Sequence, residues 1–122
     1  MSNTKTLTAE ALHQFSGSEN WYRHSLNRKV LYTDGAQYLA EQGGAYWLLD
    51  SIAIAQAHVK AVKAEEFQVW TLKVNPDSTA LLTCDDGNKR IVYSESIPFT
   101  DFPLPEVKLY FTDNVIMLTS EY

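Results

Sequence analysis

The chain reads as a single α+β domain: two or three N-terminal helices packed on one face of an antiparallel meander sheet of about five strands. Three observations predict this. Residues 43–59 are almost wholly apolar and long enough for a helix. From Phe67 onward the apolar period changes to two. Turn residues then recur at short intervals to the end of the chain, and helices followed by a run of strands is the order that gives an α+β domain.

Residues 1–7 show neither alternation nor repeat and read as a flexible leader, so the domain is expected over residues 8–122. Thr8 suits the N-cap of a short helix whose first turn holds Glu10, with Leu12 and Phe15 on its apolar side. Ser16-Gly17-Ser18 ends it. Residues 19–33 are irregular and rich in functional side chains, closing on the strand-like Val30-Leu31-Tyr32-Thr33.

Thr33 or Asp34 caps a second helix, with Gln37 placed to complete a capping box. Gly43-Gly44 supplies the left-handed turn that stops it. One continuous helix then runs from about Ala45 to about Lys63, because Leu48, Ile52, Ala55, Val59 and Val62 recur at spacings of four, three, four and three. Its first turns are apolar on almost every side, so other elements are expected to cover it.

Phe67–Val74 alternates as a strand, Asn75-Pro76-Asp77-Ser78 is a turn, and residues 79–84 return. Asp85-Asp86-Gly87-Asn88 makes a second hairpin into residues 89–96. Three prolines make residues 97–105 a looped connection. Val107, Leu109 and Phe111 alternate again, Asp113-Asn114 turns, and residues 115–119 close the sheet.

A length of 122 residues bounds the chain to one core, and 45% apolar against 20% charged residues is globular composition. No apolar run reaches the ~20 residues that span a bilayer, and the polar start lacks a signal-peptide layout; a cytoplasmic protein is expected, with no membrane partner. Cys84 is the only cysteine, which excludes an internal disulfide and reads as a small buried hydrophobe.

The net charge of −5 is unevenly placed. Residues 1–64 hold five acids against six bases, whereas residues 65–122 hold ten acids against four bases. An acidic sheet half argues against direct nucleic-acid binding, which needs bases to neutralise phosphates.

Trp21, Tyr22, Arg23 and His24, with Tyr32 and Asp34 shortly after, gather aromatic surface, a cation and an imidazole in irregular chain. Asp50, on the apolar helix, calls for a partner such as Arg23, His24 or a tyrosine hydroxyl. The plainer reading has Trp21 and Tyr22 plugging the edge of the core while Arg23 and His24 bond to backbone or Asp50. Asp101, Tyr110 and Asp113 complete the interaction candidates from the sheet half; Tyr110 beside Phe111, and Phe99 with Phe102, are candidate exposed aromatic pairs. No metal or cofactor is expected: the histidines at 13, 24 and 58 share no ligand spacing, and neither GxSxG nor a glycine-rich phosphate loop occurs.

Trp21-Tyr22-Arg23-His24, Tyr32-Thr33-Asp34-Gly35, residues 44–50, Phe67-Gln68-Val69-Trp70 and residues 109–116 together resemble a family of small bacterial proteins, a domain of unknown function found on plasmids, phages and other mobile elements. Ser25 stands where that resemblance implies a proline. The resemblance carries no catalytic residues and implies a mobile-element setting, in which small acidic proteins block host defence complexes. The expectation is a non-enzymatic protein-interaction module, an inhibitor of a host defence or nuclease complex; the alternatives are a small enzyme sited between residues 21–34 and Asp50, and a homodimer joined through a sheet edge or aromatic patch.

Overall fold

The computed structural model describes residues 7–17 and 20–122. Most of the leader, residues 1–6, and the Ser18 and Glu19 positions lie outside that part; Leu7 is buried in the core. Among the described residues, four α-helices, α1 (Ala9–His13), α2 (Asp34–Gly43), α3 (Tyr46–His58) and α4 (Lys60–Lys63), and a closing 3-10 turn, Thr119–Glu121, accompany seven strands. The strands are β1 (Trp21–Arg23), β2 (Leu31–Thr33), β3 (Phe67–Val74), β4 (Ala80–Asp85), β5 (Ile91–Ile97), β6 (Glu106–Thr112) and β7 (Val115–Leu118), in the spatial order β1-β2-β7-β6-β3-β4-β5.

The α+β class holds, but the five-strand meander behind N-terminal helices does not. Two strands precede α2, and β2 joins the sheet parallel to β7, Leu31 beside Val115 and Tyr32 beside Ile116. Each of β1 and β2 has three residues, too few to display a period of two. The proline-rich connection after β5 carries the chain to the far side of β3, where Val74 N donates to the Pro105 carbonyl at 2.8 Å; β6 therefore pairs with β3 instead of β5.

Local chemistry sets the helix ends. The Thr8 hydroxyl accepts from Ala11 N and the Thr33 hydroxyl from Ala36 N, both at 3.1 Å, so Thr33 rather than Asp34 caps α2. Gly44, at φ 63°, stops α2. The long helix is not continuous to Lys63: Val59 is extended (φ −114°, ψ 106°) and α4 starts afresh beyond it. The bend brings Val62 into full burial and its carbonyl to the Gln68 amide, which donates to it at 2.9 Å.

Directly paired strand residues share a face. Gln68, Trp70 and Leu72 of β3 therefore lie with Leu82 and Cys84, Leu109 and Phe111, and Ile116 and Leu118, all buried in one core with Leu39, Leu48, Leu49 and Ile52 of the helices. Ile54 and Tyr46 of α3, 42% and 41% exposed, show that this helix is covered on one side and not all round.

At the centre, the Gln68 Oε1 accepts from Gln56 Nε2 at 2.7 Å and Trp70 Nε1 at 2.9 Å, while its Nε2 donates to Gln56 Oε1, Val62 O and Glu65 O. At the chain's end, the Glu121 carboxylate accepts from Thr33 Oγ1 (2.6 Å), Gly35 N (3.0 Å) and Leu118 N (2.8 Å), fastening the start of α2 to β7. A Cβ at Gly35 would collide with that carboxylate. Cys84 is fully buried, which pushes its thiol up to about 12 and leaves it protonated at neutral pH. Among the described residues no helix is long and apolar enough to cross a membrane.

Candidate functional site

Pairing of β1 with β2 sets Tyr22 opposite Tyr32, and their rings stack with centroids 5.6 Å apart at 29°. The Tyr22 hydroxyl donates to Asp34 Oδ1 at 2.8 Å, and Asn20 N donates to Oδ2 at 3.2 Å. Glu41 lies two helical turns beyond Asp34 and so on the same side of α2. Across the Gly44 turn the Tyr46 hydroxyl donates to Glu41 Oε2 at 2.6 Å. His24 meets Tyr32 edge-on at 6.4 Å and reaches Asp50 on α3 at 2.8 Å. Three carboxylates thus border one patch of tyrosine rings. Asp34 and Glu41, with Phe15, Gln37, Tyr38 and Gln42, also line a shallow depression of about 480 Å³.

Two of these carboxylates favour the neutral form of the tyrosine each one accepts from. The hydrogen bond to Glu41, aided by partial burial, raises Tyr46 from an ordinary 10.0 to about 12, and the bond to Asp34 raises Tyr22. His24 is 3% exposed and fully engaged: Nδ1 accepts from Leu26 N (3.1 Å) and Asn27 N (3.2 Å), which makes Nε2 the protonated nitrogen that donates to Asp50. Asn27 continues the tie by donating to the Ala53 carbonyl at 2.8 Å. The loop between β1 and β2 is thereby bound to α3, and no nitrogen of the imidazole is left to face a substrate.

The expected site residues divide into two groups. The fold brings together Tyr22, His24, Tyr32, Asp34 and Asp50. Trp21 pairs with Thr33 and stays 60% exposed beside a small depression shared with Asp113, Val115 and Met117. Arg23 is exposed and donates to the Arg28 carbonyl, while Asp101 is exposed in the proline loop. Tyr110 packs with Phe67 and Tyr122, at 5.0 and 5.3 Å, on the sheet face opposite Phe111. The Tyr110–Phe111 pair is therefore split between faces, since neighbours on a strand point oppositely. Phe99 and Phe102 also separate: Phe99 is 69% exposed and Phe102 buried.

Glu41 and Tyr46 belong to the face although the sequence reading assigns them no role there. The signal available was the i,i+7 spacing from Asp34 and the glycine turn that folds Tyr46 back toward Glu41. The linear charge split does not map onto this face, whose acids come from the half with the balanced charge; Arg28, Lys29 and Lys63 of that half line a separate groove of about 770 Å³. No group of three or more His, Cys, Asp or Glu side chains suited to a metal occurs among the described residues.

A family model described as a family of unknown function (DUF6876) matches residues 6–122. The chain belongs to DUF6876. The match spans both the tyrosine–carboxylate face and the whole sheet, so the family membership covers the domain described above. Comparison with curated proteins and with solved structures found no match.

Proposed function

We propose that this DUF6876 chain is a protein-interaction module that docks a basic surface of its partner on the tyrosine–carboxylate face. One observation carries the reading: Asp34, Glu41 and Asp50, each oriented by a hydroxyl or imidazole donor, surround the stacked Tyr22 and Tyr32 rings on one side of the domain. Tyrosine supplies contact area at low entropic cost, and held carboxylates attract lysine and arginine while steering encounter. Saturation of both His24 nitrogens weighs against a proton-transfer role and in favour of the binding one.

The partner that fits is a host nuclease or defence complex, whose nucleic-acid surface is basic, met in the cytoplasm of a cell carrying a mobile element. The test is a titration of isotope-labelled protein with an arginine-rich peptide, followed by amide shifts. Shifts confined to residues around Tyr22, Asp34, Glu41 and Tyr46, weakened about fivefold or more in Asp34→Asn/Glu41→Gln and suppressed by salt, support the proposal. Equal binding by the double variant, or shifts centred elsewhere, overturns it.

A further inference from the structure

Leu26 and Ile54 are large apolar side chains left 65% and 42% exposed, and both line the groove of about 770 Å³. That groove lies between the loop joining β1 to β2 and the end of α3, and α4, Phe111 and the turn between β6 and β7 complete it. Its walls are tied together. Asn27 Nδ2 donates to the Ala53 carbonyl and Leu31 N to the Asn114 carbonyl, each at 2.8 Å, so the shape exists before anything binds.

Arg28 and Lys29 from the loop, His58 from α3 and Lys63 from α4 line the same groove. All four are exposed, and among the described residues none of their side chains makes a hydrogen bond or an ion pair. Lys63 and His58 also suit the C-terminal ends of their helices, but Arg28 and Lys29 stand on the loop, where no helix end attracts them. The carboxylates of the lining are Glu65, Glu66 and Asp113, and Glu65 is taken by Arg90, whose Nη2 donates to it at 2.8 Å. Asp50, one helical turn before Ile54, is held by His24 and stands outside the lining. The groove is thus locally basic on a chain of net charge −5. We infer that it takes an acidic peptide segment of a partner protein, with an apolar residue seated against Leu26 and Ile54 and flanking carboxylates meeting Arg28, Lys29 and Lys63. The exposed position of the two apolar side chains suits a segment laid across the groove rather than a small molecule enclosed by it. This surface is opposite in sign to the tyrosine–carboxylate face.

The test is amide-shift mapping of the isotope-labelled chain with a short peptide that alternates glutamate and leucine. Saturable shifts at residues 26–30, 54–58 and 63 are expected, sparing Tyr22 and Glu41 and fading as salt rises. Arg28→Glu/Lys63→Glu should weaken binding about tenfold or more, whereas Lys60→Glu/Lys108→Glu, the same change of net charge at exposed lysines outside the groove, should weaken it about twofold or less. Ile54→Ser should weaken it too, and replacing the peptide's leucines by serine should abolish the shifts, because exposed ion pairs alone contribute little. Every substitution alters an exposed side chain, and an unchanged amide spectrum away from it checks the fold. Inorganic phosphate and decanoate are run alongside; shifts with either and none with the peptide overturn the inference. So do equal losses in the two charge-reversed pairs, full binding of the serine peptide, or shifts centred on the tyrosine–carboxylate face. The arginine-rich peptide that probes that face carries the opposite charge, so the two readings fail separately.

Discussion

Gln68 and His24 both tie the helices to strands through buried polar side chains, one in the middle of the core and one at its rim, and their surroundings differ in kind. Gln68 is 1% exposed, and its bonds end on neutral partners: the Gln56 amide, the Trp70 indole and the carbonyls of Val62 and Glu65. His24 is as well buried, but its partner Asp50 has a side chain 43% exposed and keeps acceptor capacity toward water. The same device closes a network in the first place and leaves a polarised surface in the second. A buried polar tie at the rim can serve stability and recognition together; one at the centre serves stability alone.

Replacing Gln68 by Leu keeps the volume and strands the Trp70 indole N–H, Gln56 Oε1 and the Glu65 carbonyl, whereas the Val62 carbonyl keeps its bond from Glu65 N. Each unsatisfied group costs about 1–3 kcal/mol, so a loss of about 3–5 kcal/mol is expected from urea unfolding followed by tryptophan fluorescence. A loss under about 1 kcal/mol would remove Gln68 as the central tie.

His24→Ala is the rim counterpart. It frees the backbone N–H groups of Leu26 and Asn27 and loosens the β1–β2 loop from α3, for an expected cost of about 2–3 kcal/mol with amide exchange rising over residues 24–30. Equal costs for the two variants would erase the contrast between centre and rim.

Tyr46→Phe touches only the exposed side of the rim, and its effect at neutral pH should stay within about 1 kcal/mol. Its signature is at high pH. A phenol whose ionisation moves from 10.0 unfolded to about 12 folded adds stability that is fully present below pH 10 and is lost as the pH rises toward 12. Ultraviolet titration of the wild type should show a late-ionising tyrosine that the variant lacks, and the variant's stability should fall less steeply above pH 10. A normal first ionisation of every tyrosine would break the link to Glu41.

The remaining lesson concerns scale. Thr8, Thr33 and Gly44 announce helix ends because capping depends on a few adjacent residues, and Pro76 and Asp113-Asn114 announce turns for the same reason. The alternation of Val107, Leu109 and Phe111 likewise reports a half-covered strand. By itself the sequence determined the α+β class and all five strands after Phe67, it grouped Tyr22, His24, Tyr32, Asp34 and Asp50 among its candidates, and it offered His24 beside Arg23 and a tyrosine hydroxyl as partners for Asp50, of which the structure selects His24. Only the tertiary structure decided that β1 and β2 extend the sheet through β7, that Val59 breaks the helix so that Gln68 can reach Val62, and that Glu41 and Tyr46 complete the face while Trp21 leaves it. Those outcomes depend on partners dozens of residues away, which no local period or cap encodes.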